Sequence, residues 1–206
     1  MTAMTLIRWG GLASLVAGAL TILSSVLLMV LTPYTDFPRQ AASPAFVPLQ
    51  TLGLVGAILM LLGLVALYSY QSAATGLLGF VSFLVAFVGA ALNVGGYFTS
   101  YAAASLAKAA PNLLQGEPPP PLNLAFIAMS VIFGVGLILF GIATVLARRL
   151  PRWAALLLIV GAAISIVEMP LNLPFPVAEV LVGLALIWLG YALWSGWREP
   201  LASATG

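Results

Sequence analysis

The stretch that decides the fold is residues 122–147, LNLAFIAMSVIFGVGLILFGIATVLA, which contains no charged side chain. A helix rises about 1.5 Å per residue, so a stretch of this length crosses a hydrocarbon core of about 30 Å. Within lipid, a helix satisfies its backbone hydrogen bonds internally. The stretch therefore predicts a transmembrane α-helix.

Five further apolar stretches of similar character occupy most of the remaining chain. They lie at about residues 6–31, 46–70, 75–103, 153–169 and 176–197. The composition agrees, because only 6% of the residues are charged whereas soluble domains carry roughly 25%. The sequence predicts an all-α, polytopic integral membrane helical bundle of about six transmembrane helices, forming one transmembrane domain over residues 1–206.

The basic residues predict an orientation. Five of them would lie on one side of the bilayer, namely Arg8, Arg148, Arg149, Arg152 and Arg198, and the other side would hold Arg39 and Lys108. Loops rich in arginine and lysine remain cytoplasmic. We therefore expect both termini on the cytoplasmic side of a bacterial inner membrane. Tryptophans at the same boundary agree, since indole rings favour the headgroup region.

Glycine spacing suggests an internal repeat. The second, fourth and sixth stretches each carry two glycines seven residues apart, which are Gly56 and Gly63, Gly134 and Gly141, and Gly183 and Gly190. Seven residues return to nearly the same helix face, and small residues let membrane helices approach closely. The pattern predicts helix packing at these glycines and three tandem helical hairpins. The alternative is that the spacing reflects only the general abundance of glycine in membrane helices.

Polar side chains inside the apolar stretches are the candidates for a binding site. Glu168 and Glu179 are the two carboxylates, and burying an ionised group costs about 2.5–3.5 kcal/mol on insertion scales. The amides expected at similar depth are Gln50, Asn93, Asn123 and Asn172. Together they predict an outward-facing polar pocket, framed by Tyr97 and Tyr101, for a cation, a proton or an amine. Alternatively, some of these groups only satisfy helix-start N–H groups or reach interfacial water.

Two absences restrict the chemistry. The sequence contains neither histidine nor cysteine, so the commonest metal ligands and the usual neutral-pH proton shuttle are missing. No serine has an obvious base partner, and we predict no catalytic residues and no metal site. The seven basic residues form no patch that could follow a phosphate backbone, so nucleic acid is not an expected partner.

Two functions remain from this reasoning. The first is a non-enzymatic structural or accessory subunit that packs against other membrane protein subunits, membrane lipid or a bound hydrophobic pigment. The second is a small transporter or binder of a lipid-like or cationic solute that uses the outer pocket. A membrane enzyme using the two glutamates as acid and base is a third, less supported interpretation.

Overall fold

The computed structural model describes residues 3–33, 36–116, 119–171 and 176–196, and the regular elements in these ranges are all helical. They are α1 (Ala3–Leu31), α2 (Phe37–Ala42), α3 (Phe46–Ala109), a short 3-10 helix (Pro111–Leu114), α4 (Pro120–Ala147), α5 (Arg152–Leu171) and α6 (Val177–Ser195). For residues 168–171 only the backbone is described. The all-α prediction is confirmed.

Helix length and composition indicate a membrane location. In the described part of the chain, four helices are long and apolar enough to span a bilayer, namely α1, α3, α4 and α6. Helix α5 is a shorter apolar helix by the same measure, over Arg152–Val167. On α3, Val55, Ile58, Leu62 and Val65 are all exposed along one helix face. A continuous apolar face of this kind is expected where lipid surrounds the helix.

Helix α3 doubles back on itself at one residue. The sequence predicted a link between residues 70 and 75, whereas the structure continues the helix to Gly76, whose φ of 54° and ψ of −144° are not helical. This backbone conformation is readily adopted by glycine alone. Residues 46–75 form a first arm and residues 77–109 a second arm. The arms run antiparallel, since Gln50 Nε2 donates to Ser100 Oγ over 2.7 Å.

The helices pack in a closed ring that follows chain order. The first arm of α3 contacts α1, the second arm contacts α4, and α4, α5 and α6 follow in turn. Helix α6 closes the ring on α1. Missing Cβ atoms permit the close approaches: a Cβ on Gly89 would lie 2.5 Å from Phe133 Cα, and one on Gly190 would lie 2.5 Å from Gly11 O.

The interior of the described ring is filled with apolar side chains. All helices of the ring contribute to one buried cluster. Its largest fully buried members are Leu64, Leu67, Leu137, Phe140, Leu150, Leu158, Leu186 and Leu189. Each of these eight side chains is less than 2% exposed. An open pore therefore does not run through the centre of the described bundle.

Helix α2 packs against α3 at one end of the ring. Asp36 is its N-cap and accepts a hydrogen bond from the backbone N–H of Arg39 over 3.1 Å. Behind it, Ala41 and Phe46 pack with Ala103, Ala104 and Ala107 in a second apolar cluster. From the sequence, this segment is expected to be a link between two spanning helices. The helix-start signal was present, because an N-cap aspartate is followed by a proline in the first turn.

Candidate functional site

A partly open polar cavity of about 140 Å³ lies near the end of the ring where α2 packs against α3. We call this the cavity end. Three helices line it: the later part of α1, both arms of α3 and the start of α6. The lining residues are Thr21, Ser24, Ser25, Leu28, Gln50, Tyr97, Pro176 and Glu179. Six of these eight side chains carry a polar atom, so the cavity contrasts with the apolar interior below it.

The three hydroxyl groups of α1 present acceptors to the cavity. Thr21 Oγ1 donates to Ala17 O over 2.9 Å, Ser24 Oγ donates to Thr21 O over 3.1 Å, and Ser25 Oγ donates to Thr21 O over 2.8 Å. A hydroxyl has one proton to donate and two lone pairs. Because each proton is committed to the backbone of α1, the oxygens are left as acceptors.

The two arms of α3 contribute Gln50 and Tyr97. One N–H of the Gln50 amide is committed to Ser100 Oγ at 2.7 Å. The amide oxygen is the acceptor that Gln50 can offer to a solute. The ring of Tyr97 rests on Gly53, where a Cβ would lie 2.5 Å from Tyr97 Cε1. Glycine at position 53 therefore makes the space that the tyrosine ring occupies.

Glu179 is the charged residue among those that line the cavity. It is in the first turn of α6, with an exposed side chain that lines the cavity. The positive end of a helix dipole stabilises a carboxylate in that position. Asp36, the other acidic residue at this end with a described side chain, is in an ion pair with Arg39 over 3.2 Å. Glu179 is the acidic residue among those that line the cavity.

The structure brings together some of the residues predicted for this site. Gln50, Glu179 and the framing Tyr97 line one cavity. Asn93 and Asn123 are half-buried on α3 and α4 and are not among its lining residues. Glu168 is in the last turn of α5, where its side chain lies outside the described residues, as does the whole of Asn172. Tyr101 pairs with Thr51 through their hydroxyl oxygens, 2.9 Å apart.

Sequence reasoning missed the hydroxyl residues of α1 as part of the site. Their signal is the clustering of Thr21, Ser24 and Ser25 within little more than one helical turn of an otherwise apolar helix. Residues three and four apart share a helix face. A polar face of this kind inside a spanning helix points toward a neighbouring helix or a cavity.

The six glycines predicted to pack helices all lie at helix contacts. Gly56 and Gly63 face α1, Gly134 and Gly141 face α5, and Gly183 and Gly190 face α1. The pairs in α4 and α6 thus contact the helix that comes next around the ring. The pair in α3 instead contacts the helix that precedes it. Three equivalent hairpins would place all three pairs alike, so the internal repeat stays a prediction.

The described ranges contain no group of three His, Cys, Asp or Glu side chains that could hold a metal ion. The fold and the cavity define the described part of the chain as a helical bundle of membrane type with an acidic, hydroxyl-lined pocket. Comparison with protein-family models, with curated proteins and with solved structures finds no match. The functional inference therefore depends on the chain's own residues.

Proposed function

We propose that this chain is a non-enzymatic, multi-pass membrane protein that binds a small cation, best a protonated amine, in the polar cavity. The observation that supports this is the lining itself. The oxygens of Thr21, Ser24 and Ser25 are acceptors because their protons are used within α1. With the Glu179 carboxylate, the lining favours a ligand that donates hydrogen bonds and carries positive charge.

The size of the cavity limits the ligand. A volume of about 140 Å³ corresponds to about four or five water molecules at about 30 Å³ each. Sites for drug-sized ligands are larger, about 300–1,000 Å³. The cavity suits a small amine or the headgroup of an amine-bearing lipid, with the remainder of such a lipid outside. Because the ring below is filled, we propose binding, and any transport would require the helices to rearrange.

The proposed topology has six crossings, with both arms of α3 spanning separately and with both termini in the cytoplasm of a bacterium. The antiparallel contact between the arms supports two crossings for α3, as does its length of 64 residues. Arg8, Arg148, Arg149 and Arg152 lie at the end opposite the cavity, which supports a cytoplasmic position for that end under the positive-inside rule. Three tandem hairpins stay a prediction from the sequence, because the glycine pair of α3 is placed differently from the other two pairs.

The test is ligand-dependent thermal stability of the full chain in a neutral detergent. Ethanolamine hydrochloride is the probe, and glycerol at the same concentration is the uncharged comparison. A ligand at a hundred times its Kd stabilises a protein by about 2.7 kcal/mol. We expect ethanolamine to raise the melting temperature of the wild type, and Glu179→Gln to abolish that rise, because the substitution removes the carboxylate and keeps the shape.

Asp36→Asn is the matched control, because it removes a carboxylate at the same end that belongs to an ion pair outside the cavity. Its response to ethanolamine should equal that of the wild type. The proposal is wrong if ethanolamine leaves the wild-type melting temperature unchanged. It is equally wrong if Glu179→Gln responds as strongly as the wild type.

The accessory-subunit hypothesis is the second candidate, and an exposed stripe of small residues on the second arm of α3 favours it. Ala91, Gly95, Thr99 and Ala102 are all exposed there, and no atom lies within 4 Å of a Cβ built on Gly95. Small residues at this spacing let another membrane helix approach closely. The partner would be another membrane protein subunit, with lipid or a hydrophobic pigment between. Purification from the native membrane in mild detergent tests it, and a solitary monomer would contradict it.

A further inference from the structure

The link between α4 and α5 concentrates positive charge at the end opposite the cavity, which we call the arginine end. Arg148, Arg149 and Arg152 are exposed there, whereas Leu150 and Pro151 between them are buried against the bundle. The buried residues fix the link to the ring. The packing of these neighbours therefore fixes the backbone that carries the three exposed arginines.

Arg148 holds an unusual backbone conformation. It is the C-cap of α4, with φ of 50° and ψ of 31°, and it is the single residue other than glycine with positive φ in the described part of the chain. Helices commonly end in glycine at a left-handed position, because other residues are disfavoured there. Backbone geometry would thus favour glycine at position 148. It does not explain why the residue there is an arginine.

The charges of Arg148 and Arg149 are not balanced by nearby acidic side chains that the structure describes. Neither Arg148 nor Arg149 forms an ion pair with another described residue, and the described carboxylates of Asp36 and Glu179 are at the cavity end. The counter-charge for these two arginines therefore has to come from outside the described bundle.

The surroundings of the link place it at the level of lipid headgroups. Trp153 is 73% exposed directly after the link, and Leu146 is 64% exposed directly before it. Trp9 and Trp194 are exposed at the same end, where Arg8 Nε donates to Trp194 O over 3.2 Å. Exposed indoles of this kind occupy the interface between headgroups and acyl chains.

We propose that Arg148, Arg149 and Arg152 bind the phosphate of an anionic phospholipid, with Trp153 and Leu146 against its acyl chains. A guanidinium group presents planar, paired donors that match phosphate oxygens. Anionic lipid attracts basic segments beside membrane helices, by about 1 kcal/mol per residue. This site is separate from the cavity, and neither depends on the other.

The experiment measures binding of phosphatidylglycerol to the detergent-purified full chain by native mass spectrometry, with phosphatidylcholine as the neutral comparison. We expect preference for phosphatidylglycerol, and a loss of about fivefold in its affinity for Arg149→Gln, the factor that corresponds to about 1 kcal/mol. Arg148→Gly should weaken binding similarly. Its melting temperature without lipid should stay equal or rise, because glycine suits the positive φ.

Arg39→Gln is the matched control, since it removes an exposed arginine at the cavity end. Its phosphatidylglycerol affinity should equal that of the wild type. Equal affinity of the wild type for the two lipids would overturn the proposal. Wild-type affinity in both Arg148→Gly and Arg149→Gln would also overturn it. Equal binding of soluble glycerol phosphate would overturn it as well, because the site would then bind phosphate without the lipid.

Discussion

The two ends of this helix ring differ in how the space between their helices is filled. At the cavity end, α1, α3 and α6 leave a space lined by hydroxyls, an amide and a carboxylate. Toward the arginine end, leucines and close glycine contacts fill the ring. A tightly packed half holds the helices in place, so that the other half can keep a polar space without collapsing. We therefore expect substitutions in the packed half to change the stability of the protein, and substitutions around the cavity to change its ligand affinity.

One buried polar pair interrupts the packed half. Gln71 is 1% exposed, and its Nε2 donates over 3.0 Å to Thr144 Oγ1, which itself donates over 2.8 Å to Phe140 O. Gln71 Oε1 is buried without a hydrogen-bond partner among the described residues. The packed half thus contains an unsatisfied side-chain oxygen among the described residues, whereas several polar groups of the other half face a cavity.

The largest effect should come from filling a glycine contact in the packed half. A Cβ at Gly190 would lie 2.5 Å from both Gly11 O and Leu15 N, and these backbone atoms cannot rotate away. We expect Gly190→Ala to lower the free energy of unfolding by about 3 kcal/mol, the upper range for overpacking.

Gly95→Ala is the matched control for that substitution. It is also a helical glycine, but no atom lies within 4 Å of its added Cβ, so we expect unchanged or increased stability, by up to about 1 kcal/mol. Unfolding in a denaturant titration measures both variants. Equal stability of the two would contradict the packing role assigned to Gly190.

A smaller effect should come from the polar pair. Thr144→Val removes the acceptor for Gln71 Nε2 and leaves the buried amide without a hydrogen-bond partner among the described residues, so we expect a loss of about 1–3 kcal/mol. Gln71→Met should instead stay close to the wild type or exceed it, because it removes the unsatisfied oxygen while Thr144 keeps its bond to Phe140 O. The double variant should recover most of the loss. The same titration checks the order, and a destabilised Gln71→Met would contradict it.

The smallest effect on stability should come from the cavity. Thr21→Val removes a hydroxyl whose proton goes to Ala17 O, within its own helix, so stability should change by about 0.5 kcal/mol or less. Ethanolamine affinity should nevertheless fall about tenfold, because hydrogen bonds to charged groups contribute about 1.5–3 kcal/mol.

Thr99→Val is the corresponding control, since the Thr99 hydroxyl donates to Gly96 O in the same helix-internal way and is exposed away from the cavity. Isothermal titration with ethanolamine checks both variants. If Thr21→Val lowers the free energy of unfolding and retains ethanolamine affinity, it is wrong to assign stability to the packed half and binding to the cavity half.

The sequence predicted the helices more completely than the site. Long apolar runs locate spanning helices because the bilayer sets their length. Helix α2 was not predicted from the sequence. A link was expected where one glycine, Gly76, lets α3 turn. For the site, Gln50 and Glu179 were predicted and do line the cavity, whereas Asn93 and Asn123 do not.

The site was predicted less completely than the helices because the faces of a membrane helix differ little in polarity. A soluble helix reveals its buried side through a polar opposite face, but a helix in lipid is apolar on both sides. Thr21, Ser24 and Ser25 could be recognised as a polar face, yet nothing in their spacing told which helices would meet them.

By itself, the sequence determined that this chain forms apolar helices suited to a membrane, because composition and run length leave no other way to satisfy so many backbone groups. Only the tertiary structure decided that α6 closes on α1 and that Glu179 thereby meets the hydroxyls of α1. That juxtaposition depends on the order and rotation of packed helices, which are set by contacts such as Gly190 against Gly11 between residues far apart in the chain.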